Sequence, residues 1–180
     1  MYSEKHDMFR IPGSGGHLIG SWDLHKHSKS PKLQRVFFLS FPELSKAKRD
    51  LLDSCYTSEY LVESKATGET FLIKRYRKMA RVINGIPKMK TEILVVFIVP
   101  DDGFAFFTSD IEDDCVFLSK SEPFCVNASS FPGLLASCVQ VFDVDESAYA
   151  CMKRVTICHS RVFRDGFKAP FYIPPQIKKN

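Results

Sequence analysis

The sequence predicts a mainly β protein assembled from antiparallel hairpins. Turn signals recur at strand-length intervals from residue 57 onward. The runs between them are rich in Val, Ile and Phe, with 16 Phe in 180 residues. A single stretch, near residues 43–54, has the spacing of an amphipathic helix. Such a pattern suits a sandwich, a barrel or a propeller, and spacing alone does not choose among them.

The elements follow in order. Residues 11–21, IPGSGGHLIGS, read as a turn between strands, because glycine tolerates the positive φ that tight turns demand. A polar linker, Ser28 to Lys32, precedes Leu33 to Leu39, predicted as a strand. The helix is expected over Pro42–Ser54: Pro42 and Glu43 suit a first turn, and Leu44, Ala47, Leu51 and Cys55 share one face. Glu59–Glu63 and Thr70–Lys74 flank Ala66-Thr67-Gly68-Glu69 as a hairpin. A basic segment with a loop at Asn84-Gly85 and Pro87 leads to Glu92–Val99, apolar on both faces and hence a central buried strand. Pro100-Asp101-Asp102-Gly103 turns the chain into Phe104–Thr108. Cys115–Leu118 and Phe124–Val126 form the next strand pair, closed by Phe131-Pro132-Gly133. Cys138–Asp143 is a further strand, Cys151–Val162 a last short pair, and Phe171–Asn180 an extended tail.

Composition bounds the function. With 44% hydrophobic and 26% charged residues the chain has the material for a core and is not a disordered polymer. A net charge of +4 is too mild to argue for nucleic acid by itself. The six cysteines form no CxxC and sit mostly in apolar runs, so they read as reduced, buried small hydrophobes. No window reaches the ~18 apolar residues of a membrane helix, so no membrane insertion is expected. The first ten residues include Glu4 and Asp7 and lack the character of a secretory signal or transit peptide.

Gly15 and Gly20 have phosphate-loop spacing, but Ser21 stands where a lysine would meet the phosphates. His25 and His27 have no Cys or acid at ligand spacing, and the acids at 110–114 and 143–146 lack a calcium-loop pattern. Cys158 and His159 are adjacent, which sends their side chains to opposite faces of a strand and argues against a nucleophile–base pair. No catalytic, cofactor-binding or metal-ligating residue is therefore assigned, no cofactor is expected, and the chain reads as non-enzymatic. The remaining candidate is a basic patch, Lys74, Arg75, Arg77, Lys78 and Arg81, with Tyr76 interleaved, which would suit RNA. The competing reading is solvated charge balanced by the acid-rich segment 101–122.

One block carries a resemblance. Phe117-Leu118-Ser119, Phe124-Cys125-Val126, Ala128-Ser129-Ser130-Phe131-Pro132-Gly133 and Val139-Gln140-Val141-Phe142-Asp143 resemble the recurrent block of a plant family, domain of unknown function 295, the F-box-associated β-propeller. Pro12 to Trp22, Leu51-Leu52-Asp53-Ser54-Cys55 and Phe171-Tyr172-Ile173-Pro174-Pro175 are similar to its cruciferous organellar branch, which lacks the F-box. In that family's pattern a glycine turn stands where this chain has Ile111-Glu112-Asp113.

The resemblance implies a partial β-propeller over 31–175, with a Gly-rich segment at 1–30 in front and a polar tail at 176–180 behind. A blade takes about 40–45 residues, so 180 residues supply about four at most and a member lacking its front is expected. It further implies protein interaction with a partner not named by the sequence. In F-box members that role is target recognition for a ubiquitin ligase. In the organellar branch it implies a mitochondrial or plastid setting, with RNA contact through the basic patch as an alternative. For F-box members the setting would be cytoplasm or nucleus.

Overall fold

A computed structural model describes residues 1–26, 30–143, 146–154 and 156–159. Along the chain the strands are β1 Tyr2–Ser3, β2 Met8–Pro12, β3 Leu18–Asp23, β4 Lys32–Arg35 and β5 Phe37–Phe38. The helix α1, Lys46–Asp53, follows. Then come β6 Tyr56–Glu63, β7 Thr70–Ile83, β8 Ile86–Ile98 and β9 Phe104–Thr108. The last group is β10 Asp114–Leu118, β11 Phe124–Asn127, β12 Cys138–Phe142, β13 Ser147–Cys151 and β14 Thr156–His159.

These strands make three sheets, ordered β1-β2-β3-β4, β5-β9-β8-β7-β6 and β11-β10-β12-β13-β14. The middle sheet is covered on both faces, and alternation along its strands explains how. Leu61, Leu72, Val95 and Phe97 face the first sheet and pack with Ile19 and Val36. Their neighbours Val62, Phe71, Ile73, Leu94 and Val96 face the third sheet and pack with Val116, Leu118, Val139 and Val141. The unbroken apolar run at 93–99 is thus a strand buried on both sides, as its composition predicts. Among the described residues the architecture is mainly β, three stacked sheets with one α-helix, and none of these sheets closes on itself.

Most connections are antiparallel hairpins. Two are not: β10 runs parallel to β12, and β5 parallel to β9. The predicted strand 33–39 is in fact shared between sheets, β4 pairing with β3 in the first and β5 with β9 in the second. Val36, 3% exposed, is buried at the crossing. Gly103 makes this approach feasible, since a Cβ there would stand 2.5 Å from the Arg35 carbonyl oxygen.

The helix begins later than the sequence predicts. Pro42 and Glu43 precede it instead of forming its first turn, and Ser45 is the N-cap, its hydroxyl accepting from the Lys48 amide. No residue of α1 is buried, so its apolar face rests only partly against the sheets. The turn at Glu112 takes φ 53°, a left-handed conformation held without the glycine of the related pattern. Residues 27–29, 144–145, 155 and 160–180 lie outside the described set, so His27, Val162 and the tail from Phe171 are not placed.

The block at 115–134 takes the arrangement its residues predict. β10 and β11 pair with Cys115 opposite Val126 and Phe117 opposite Phe124, and a 3-10 turn spans Ala128–Ser130. Phe117 is buried, whereas Phe124, Val126 and Phe131 are half-buried. The Phe117 and Phe124 rings stack at 4.9 Å between centroids. Cys115, Cys125 and Cys138 are free and buried, consistent with packing residues.

Candidate interaction surface

The basic segment folds into something its composition does not announce. Asn84-Gly85 is not a loop between separate elements but a two-residue hairpin turn, with φ of 50° and 75° as a type I′ turn requires. β7 and β8 therefore run as one long hairpin, paired from Phe71↔Ile98 out to Ile83↔Ile86. Its inner half is the middle of the core. Its outer half leaves the body as an arm, because β6 accompanies β7 only as far as Arg77 and β9 meets β8 only over Val96–Ile98.

Because strand residues alternate between faces, the five cations of the patch separate. Lys74 points toward the first sheet, buried, with its ammonium 4.1 Å from the centre of the Phe38 ring. Burial lowers its pKa below the ordinary lysine value. Arg75 points the other way and is 1% exposed. Arg77 is half-buried, donating to Ser58 Oγ and lying 3.6 Å from Asp143. Lys78 and Arg81 alone are fully on the surface. The five do not form one face.

Around Arg75 the middle and third sheets are joined by charge. Its guanidinium donates to Thr91 Oγ1 at 2.9 Å, Asp143 Oδ2 at 3.0 Å and Glu146 Oε2 at 2.8 Å. Glu146, itself buried, also accepts the Thr91 amide and lies 3.0 Å from His159 Nδ1. Burial acts to lower the Arg75 pKa, but hydrogen bonds with Glu146 and Tyr60 outweigh it and hold the group above its usual value. Every polar atom of the guanidinium fork is engaged, so the cluster reads as a joint and not as a reactive centre. The acids at 101–122 take other partners: Asp101 pairs with Lys5, Asp110 with Lys153, and Glu122 with the amino terminus.

The Gly-rich turn at 13–16 packs against the core, with Gly16 beneath Leu72 and Lys74, and the Gly15 amide donates to Glu59. It is a structural turn. His25 pairs with Asp7 at 3.0 Å. Among the described residues no three His, Cys, Asp or Glu side chains gather as a metal site, and no helix is long and apolar enough to cross a membrane.

A surface that sequence reasoning missed lies at the β5/β9 edge. Phe37, Leu39, Phe104 and Phe106 project from the face of the middle sheet that looks toward the third, yet they are 52%, 57%, 39% and 42% exposed. The parallel register sets Phe37 beside Phe104, their ring centres 5.9 Å apart. The signal was present as alternating Phe in FAFFT, but which face the third sheet leaves uncovered is a tertiary matter.

No curated protein and no solved structure matches the chain. The family model described as KIB1-4 beta-propeller matches residues 4–163, a span that takes in every strand of the three sheets except β1. On that match, the chain belongs to the KIB1-4 beta-propeller family.

Proposed function

We propose that this chain is a non-catalytic protein-binding module, and that the β5/β9 edge receives its partner. One observation carries the reading: four large apolar side chains, three of them Phe, stand together on one face at 39–57% exposure. Contiguous exposed apolar side chains of this kind are unusual unless something docks on them. Aromatic rings bring large contact area at small entropic cost. The family resemblance supports two settings for such binding, target recognition beside a ubiquitin ligase or service in a mitochondrion or plastid. RNA binding by the basic patch has weaker support, since Lys74 and Arg75 are committed to the interior and no aromatic ring lies between Arg77 and Thr91 to stack a base.

The test places a photo-cross-linking residue at Leu39 or Phe106, and at exposed Lys65 as a control, in the cell of origin. A protein captured from the first two positions and lost in the Phe37→Ser/Phe104→Ser variant, with thermal stability retained, supports the reading. Equal capture from all three positions, or capture indifferent to the double substitution, overturns it.

A further inference from the structure

The outer half of the β7–β8 hairpin is a second surface, separate from the aromatic edge. Beyond Arg77 and Thr91 it stands as two strands with neither β6 nor β9 alongside. Register shifts between Tyr76/Arg77 and Met79/Arg81 mark two bulges, and alternation through them sorts the side chains. Lys78, Lys90 and Arg81 share one face, while Met79, Met89 and Val82 share the other. At the end four aliphatic residues surround the turn: Val82, Ile83, Ile86 and Pro87, with Val82 57%, Ile83 39% and Ile86 58% exposed. From Thr70 to Thr91 the sequence contains no acid.

We propose that this arm docks the protein on an anionic lipid surface, its aliphatic end entering the headgroup region and its cations meeting the lipid phosphates.

Three features favour lipid over other polyanions. Ile83 pairs with Ile86 across the type I′ turn, so part of the backbone at the end is satisfied, and its open amides and carbonyls would stay within the hydrated headgroup region. The order along the arm is apolar end first and cations behind it. At ~3.3 Å per strand residue, Arg81 stands roughly 7 Å back from Ile83. That matches the ~5–10 Å to which interfacial segments sink, and it leaves Lys78 and Lys90 long enough to reach the headgroups from farther back. The outer half has two strands and no second layer to make a groove for an acidic peptide, and residues 78–90 hold no ring to stack a base, whereas a bilayer surface requires neither.

The test is flotation of the full chain with phosphatidylcholine vesicles, with and without phosphatidylserine. Partitioning at least about tenfold stronger onto the anionic vesicles is expected, falling as salt is raised, since each surface cation contributes roughly fivefold. Lys78→Glu/Arg81→Glu should abolish the preference for anionic vesicles. Ile83→Ser/Ile86→Ser should weaken binding several-fold while leaving circular dichroism unchanged, because both side chains are exposed. Phe37→Ser/Phe104→Ser should leave vesicle binding intact, which separates this surface from the protein-binding face. Equal partitioning onto both vesicle types, or binding unaffected by the isoleucine changes, overturns the proposal. So does equally tight binding to soluble polyglutamate that survives Ile83→Ser/Ile86→Ser, which would assign the arm to an acidic protein.

Discussion

Arg75 Nη2 in β7 of the middle sheet donates across 2.8 Å to Oε2 of Glu146, which lies between β12 and β13 of the third sheet, 71 positions away in sequence. Both side chains are almost wholly removed from solvent. The pair, with Thr91 and Asp143, fastens the third sheet to the middle one where the apolar interface gives way to polar groups.

Removing Glu146 leaves the buried Arg75 charge with Asp143 alone opposite it and takes the acceptor from the Thr91 amide. Glu146→Ala should therefore cost about 3–5 kcal/mol, read as a fall in the urea midpoint. Arg75→Met combined with Glu146→Leu should cost much less than the two single changes added together, because no charge is then stranded. Additive losses would show that the residues do not act as a pair.

Lys74 gives a pH signature of opposite sign to that of an ion-paired lysine. Burial depresses its folded pKa below the ordinary lysine value of 10.5. Between the folded and unfolded values the unfolded chain holds more protons, so stability rises with pH through that window. Unfolding of the native chain at a series of pH values up to 10.5 should show this gain relative to Lys74→Met. Parallel curves for the two proteins would refute it.

Two left-handed glycines should respond differently to alanine. At Gly103, φ is +84° and the new methyl would meet the Arg35 carbonyl oxygen at 2.5 Å. Gly103→Ala should cost about 2 kcal/mol or more, the left-handed penalty plus the clash. At Gly85 nothing lies within 4 Å, so Gly85→Ala should cost only about 1 kcal/mol. Calorimetric melting temperatures of the two variants make the comparison.

The thiols should divide by depth. A hydrogen bond to Cys138 together with burial raises Cys115, and burial raises Cys125, so neither supplies thiolate at neutral pH. In the native protein a thiol reagent should modify Cys115, Cys125 and Cys138 only at the rate of unfolding, with the half-buried Cys55, Cys151 and Cys158 ahead of them. Fast modification of Cys115 would contradict the packing of the third sheet.

Much of the fold is legible because its signals are local. The period-two runs, the Asn-Gly and Pro-Asp-Asp-Gly turns and the doubly apolar stretch at 93–99 each report on a few adjacent residues. The misjudged places are where distant segments decide. The strand at 33–39 divides because two sheets compete for its backbone. The helix starts at its Ser45 cap instead of at Pro42. The candidate site was legible only as a charge count. That count treated five cations as equivalent, although alternate positions on a strand face opposite ways and the interior claims Lys74 and Arg75.

The sequence by itself determined a mainly β chain of hairpins and the two-faced burial of its central strand, since period and turn chemistry are properties of neighbouring residues. Only the tertiary structure decided which cations are fastened inside, which phenylalanines remain outside at the β5/β9 edge, and that the basic segment continues outward as an arm. Those outcomes depend on where one sheet stops covering another, and no local pattern encodes that boundary.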